Sequence, residues 1–155
     1  MKIIFLDIDG VLVNAKSVSG AKKICMAKGR FRHEEQIDKQ CLVALNKIVA
    51  KTEAKIVVSS AWRILNSLAN LQEIFRNVGL NAEIIDVTPR HGISRGHEIQ
   101  EWLDNQKFGE ISNFVILEDD VSDVFLLKEN VIQTYYFGDG LTEESADQAI
   151  DKLNR

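Results

Sequence analysis

The stretch Lys2-Ile3-Ile4-Phe5-Leu6-Asp7-Ile8-Asp9-Gly10-Val11-Leu12 decides how this chain is read. It opens with a short apolar run, rich in isoleucine, of a length that suits a buried strand. The run ends on two carboxylates one residue apart, followed by a glycine. Bare carboxylates at the end of a central strand are unfavourable unless a cation meets them. A hard divalent cation, which takes oxygen ligands and keeps several waters, answers both charges. Gly10 then lets the backbone turn sharply away from the strand. A plain turn is the competing reading, since Asp and Gly are ordinary turn residues. A calcium loop of the EF-hand type does not fit: its sixth and twelfth positions call for Gly and Glu, and they hold Leu12 and Val18.

Further along, apolar strands alternate with helical stripes. Asp38 caps a helix carrying Cys41, Leu42, Leu45, Ile48 and Val49. Lys55-Ile56-Val57-Val58 reads as a second strand, ending at Ser59-Ser60. Leu65, Leu68, Leu71, Phe75 and Val78 make the next helix stripe, which stops near Gly79. Glu83 to Val87 is a third strand, and Pro89 breaks it off. Ser94 caps a helix with Ile99, Trp102 and Leu103. Phe114-Val115-Ile116-Leu117 is a fourth strand, ending at Glu118-Asp119-Asp120; a short helix through Val124 and Leu127 follows. Val131 to Phe137 is a fifth strand, and Thr142 caps a last helix with Glu143 and Glu144 in its first turn.

This order predicts an α/β, Rossmann-like three-layer fold, with a mostly parallel five-stranded sheet and helices on both faces. In such sheets the site lies beyond the carboxyl ends of the strands. Asp7, Asp9, Ser59 and the Glu118-Asp119-Asp120 cluster all fall at such ends. Three strands delivering polar residues to one edge outweigh the plain-turn reading of any one of them.

Asp7-Ile8-Asp9-Gly10-Val11-Leu12 directly after a strand resembles the first motif of the haloacid dehalogenase (HAD) superfamily of phosphohydrolases. The resemblance implies Asp7 as nucleophile and Asp9 as general acid and base. It implies a Mg2+ site of Asp7, the backbone carbonyl of Asp9 and Asp119. Ser59 or Ser60 matches the second motif, whose hydroxyl binds the phosphoryl group; the register puts Ser59 first past the apolar run. Arg95 stands where the third motif supplies a lysine, a departure that keeps the charge but changes its shape. Glu118-Asp119 and Asp123 match the acidic fourth motif. Asp119 is then the preferred direct ligand, Asp123 either a further metal residue or, by preference, one that orients waters or Arg95, and Asp120 is either a ligand or solvent-facing.

Ala54 to Arg63, with its Ser-Ser-x-Trp-Arg stretch, resembles one branch more closely: the phosphatase domain of Swiss Army Knife RNA repair proteins. Arg95 to Leu103 and Gly140-Leu141-Thr142 fit that branch too. It implies a phosphomonoester substrate, such as an RNA or DNA end or a nucleotide, with Arg63 either contacting phosphate or lying on a helix surface. The alternative is a non-catalytic, anion-binding scaffold of the same fold. A response-regulator receiver would need its phosphorylated Asp after the third strand, at Val87-Thr88-Pro89, where there is none. A Toprim nuclease would need the acidic motifs in the reverse order.

The totals agree. The chain has 155 residues and a net charge of −4, which fits one domain over 1-155. No run approaches a membrane span, and no signal-peptide pattern opens the chain. Cys25 and Cys41 form no C-x-x-C pair, so reduced thiols and a cytoplasmic setting are expected. Oligomeric state is not legible. Between Ala15 and His33 there is no acid, while Lys16, Lys22, Lys23, Lys28, Arg30 and Arg32 give +6, leaving −10 on the rest. Because this segment leaves the strand end that bears Asp7, it reads as a short basic flap at about 14-37 facing an anion. It is too short for a large cap domain.

Overall fold

The computed structural model describes residues 1–155. Strands β1 (Lys2–Leu6), β2 (Lys55–Val58), β3 (Ile84–Val87), β4 (Asn113–Glu118) and β5 (Val131–Gln133) form one sheet in the order β3-β2-β1-β4-β5. Every pair is parallel, as long crossovers between strands require. β1 lies in the middle, so Asp7 emerges between two neighbours. The ladder also continues past the strand ends. Ser59 N–H donates to Leu6 O at 3.0 Å, Asp7 N–H to Leu117 O at 3.1 Å, and Thr134 N–H to Glu118 O at 3.0 Å. These bonds fix the first polar residue of each loop to the sheet.

Side chains alternate across the sheet. Ile4, Leu6, Ile56, Val58, Val115 and Leu117 face one side. There α2 (Lys39–Thr52), α4 (Leu68–Val78) and α6 (Glu143–Leu153) complete a cluster of 27 buried residues. Ile3, Phe5, Val57 and Ile116 face the other, against Ile99 and Trp102 of α5 (Arg95–Asn105), in a cluster of 7. The expected three layers are present. No helix is long and apolar enough to cross a membrane.

Four local expectations are corrected. The basic segment forms a regular helix, α1 (Ala15–Lys28), capped reciprocally by Asn14 and Ser17 and closed by Gly29 at φ 63°. Only Ala21 of that helix is buried, so no apolar stripe marks it in the sequence. The stripe drawn through Leu65 is broken: α3 (Trp62–Leu65) ends there, Leu65 is exposed, and Ser67 caps α4 afresh. The helix expected through Val124 and Leu127 is a 3₁₀ segment, Phe125–Asn130. The fifth strand stops at Gln133, because β4 offers no partner beyond Glu118. Thr134 keeps one ladder bond to Glu118 and turns its hydroxyl toward the Asp9 loop, donating to Gly10 O at 2.7 Å. Nearby, the buried Cys41 thiol donates to Asp139 O at 3.1 Å, and burial pushes its pKa up to about 11. Cys25, on α1, is only partly buried, and both thiols are free.

Candidate active site

The Asp7 carboxylate is buried at the end of the central strand, at 4% exposure. Arg95, the first residue of α5, reaches its Oδ1 at 2.9 Å. The same guanidinium nitrogen also binds Glu118 Oε2, and Asp123 lies 3.9 Å from Arg95 Nε. Asp123 accepts from the Arg95 backbone N–H at 3.2 Å as well, so it seats the start of α5. Arg95 thus opens α5 and bridges the strand-end acids Asp7 and Glu118. Its own pKa is raised by Asp7 and Glu118, although burial acts against the charge.

Glu118 is the residue whose part was missed. It is 1% exposed. Its Oε1 accepts the N–H groups of Asp119 (3.0 Å) and Asp120 (3.1 Å), which shapes the turn after β4. Its position at the end of an apolar run was the available signal. Burial, then the nearby Asp7 charge, push Glu118 up to about 8, with Arg95 opposing. Asp7 is raised too, chiefly by burial; Arg95, the Ile8 N–H and the Ser60 hydroxyl pull the other way. One guanidinium therefore serves an excess of carboxylates.

Asp7, Glu118 and Asp119 each offer one oxygen, all within 4.8 Å of one another. Gly10 makes room for this. A Cβ at residue 10 would lie 2.2 Å from Asp119 Cγ, and φ there is 87°, so a side chain is excluded by both contact and conformation. An all-oxygen set with surplus negative charge fits a hard divalent cation such as Mg2+. Asp7 and Asp119 would hold it, since both Glu118 oxygens already accept protein donors.

The carboxylates of Asp9, Asp120 and Asp123 lie outside this group; the ligand expected from Asp9 is its backbone carbonyl, not its side chain. Asp9 is exposed and accepts Trp62 Nε1–H at 3.1 Å. Desolvation and the neighbouring Asp119 raise its pKa, while Trp62 lowers it. Asp120 faces solvent, and its carboxylate accepts the Ser122 hydroxyl at 2.5 Å and N–H at 3.1 Å, which lowers its pKa. Asp123 is spent on Arg95.

Both serines are fully buried. Ser60, rather than Ser59, stands by Asp7, where its hydroxyl lowers the carboxyl pKa; Ser60 Oγ also accepts Trp62 N–H at 3.3 Å. Ser59 Oγ is buried without a partner. Arg63 is turned inward and its side chain is only 7% exposed. All five of its N–H groups have protein acceptors, so the expectation that it contacts phosphate finds no free donor. Burial lowers its pKa against the pull of Glu98.

The basic segment does come to this edge. Behind α1 a short 3₁₀ turn, His33–Gln36, sets the His33 ring 5.6 Å from Trp62, with Phe31 5.0 Å beyond. Lys16 reaches Asp139, in the loop after β5. His33 was not read from the sequence as a neighbour of Asp9, and only the course of the chain after α1 brings it there.

A parallel sheet whose central strand ends in Asp-x-Asp-Gly, met by a cation from a later helix and acids from a neighbouring strand, defines a HAD-type domain. The family model for the HAD domain in Swiss Army Knife RNA repair proteins matches residues 3–146, and the chain belongs to that family. No curated protein and no solved structure matches the chain. HAD membership places the chain in a superfamily of phosphatase-type hydrolases, some of whose members are non-catalytic.

Proposed function

We propose that the chain is a Mg2+-dependent phosphomonoester phosphatase that works through an aspartyl-phosphate on Asp7. The observation that carries this reading is the placement of the buried Asp7 carboxylate between Arg95 and Ser60, beside Asp119. An Asp7 oxygen attacks phosphorus and the bond to the leaving oxygen breaks. Asp9, exposed to the substrate side and with a raised pKa, gives that oxygen its proton. A water then attacks the same phosphorus and loses its proton to Asp9. The phosphorus–Asp7 bond breaks and inorganic phosphate leaves. Arg95 and Ser60 hold the phosphoryl oxygens in line. Charge neutralisation at those oxygens is the chemistry that magnesium on Asp7 and Asp119 would supply. A nucleic-acid end or nucleotide is the favoured substrate, because the basic segment that carries α1 leads to His33 beside Trp62 and the family is one of RNA repair proteins.

The test is phosphate release from an aryl phosphate and a phosphorylated oligonucleotide, with magnesium and with chelator. The native chain should release phosphate only with magnesium. Asp7→Asn should lose about 10⁴-fold or more in turnover while staying folded. Full activity in that variant would sink the covalent mechanism. Silence from the native chain on both substrates would favour the anion-binding scaffold.

A further inference from the structure

Arg63 and Glu98 form a buried ion pair that touches neither Asp7 nor the acidic cluster. Their side chains are 7% and 8% exposed, and Arg63 Nη2 meets Glu98 Oε2 at 2.6 Å. The rest of each group is tied to backbone. Arg63 donates to the carbonyls of Ser59 (2.6 Å) and Ser60 (2.8 Å) in the loop after β2. It also donates to those of Thr88 (3.1 Å) and Pro89 (3.3 Å) in the loop after β3. Glu98 Oε1 accepts the N–H groups of His91 (2.8 Å) and Gly92 (3.4 Å) in that second loop. Glu98 lies one turn along α5 from Arg95.

A buried pair of this kind is weak evidence for stability, because desolvating both charges offsets most of their attraction. Its distinctive property is geometric. A planar fork with five donors, matched to five acceptors on two loops and a helix, fixes relative positions that single hydrogen bonds leave soft. We infer that Arg63 and Glu98 are positioning residues, which hold the Ser60 loop and the Arg95 helix at the separation needed for both to grip one phosphoryl group. This rests on the phosphatase reading above. Lysine at 63 would keep the charge and lose the fork. Glutamine at 98 would keep the shape and lose the charge.

Arg63→Lys and Glu98→Gln test this, with kcat and KM measured separately on the aryl phosphate at saturating magnesium and orthovanadate as a phosphoryl-like inhibitor. Hydrogen exchange is followed in both loops. Each variant should stay folded. In each, kcat should fall by about 100-fold, KM should change much less, and vanadate inhibition should weaken. In Glu98→Gln, exchange should quicken at residues 59–63, whose backbone Glu98 does not touch. Turnover per folded molecule within about twofold of native in both variants would overturn the inference. So would unchanged protection at residues 59–63. If the native chain itself releases no phosphate, the phosphatase reading falls, and the exchange result alone then decides whether the brace exists.

Discussion

Two guanidinium groups sit at the same edge of the sheet and are used in opposite ways. Arg63 faces one carboxylate and four carbonyls, and every donor is matched. Arg95 faces Asp7, Glu118 and Asp123, so positive charge is in deficit. The first arrangement is closed: nothing in it calls for a ligand. The second is open, since both Asp7 and Glu118 are held above their ordinary pKa values. Matched buried charge specifies shape, while unmatched buried charge specifies what must bind.

The largest way to break this contrast is Arg63→Ala, which strands Glu98 and four carbonyls. It should cost about 3–5 kcal/mol in a denaturant melt. A cost under about 1 kcal/mol would mean that the closed site tolerates vacancy as well as an exposed pair does. The open site is probed by pH. Glu118, at about 8 when folded against an ordinary 4.5, keeps a proton that the unfolded chain gives up. Its stabilising contribution in chelator is therefore complete below the ordinary value and is lost as pH rises through about 8. Melts at about pH 5 and about pH 8.5 should differ by a few kcal/mol in chelator, and magnesium should erase much of the gap by favouring the ionised acids. A flat profile would show that Arg95 alone balances the cluster.

Gly10→Ala should cost about 2 kcal/mol through its positive φ and the collision with Asp119. It should also raise the magnesium concentration needed for activity, read by titration. Unchanged magnesium dependence would remove Asp119 from the cation site. The mildest change is Trp62→Phe, which removes the donor to Asp9. The rate should drop by less than about tenfold. The limb of the pH–rate profile governed by Asp9 should move up, because Trp62 lowers that pKa. A limb that stays in place would separate Asp9 from the titration.

The β/α alternation and the strand-end acids were legible because each is written within a few consecutive residues. Asp7, Asp9 and Asp119 announce themselves at the ends of apolar runs. Arg95 was found by its place before a helix. The Arg63–Glu98 pair spans 35 residues of sequence and two loops, and no local pattern encodes it. The choice between Ser59 and Ser60 turned on side-chain direction after the strand ends, where strand register no longer dictates it. Helix α1 escaped notice because burial of Ala21 alone leaves no periodicity to read; the Asn14 and Ser17 capping pair and the closing Gly29 were its local signs.

The tucked Cys41 thiol has a practical consequence. With its proton held to about pH 11 and its sulfur sealed in the core, it will resist alkylation in the folded chain. Cys25, partly exposed on α1, is then the natural point for a single maleimide dye. Fluorescence from one label on the unaltered chain can report whether an oligonucleotide approaches the basic helix at all.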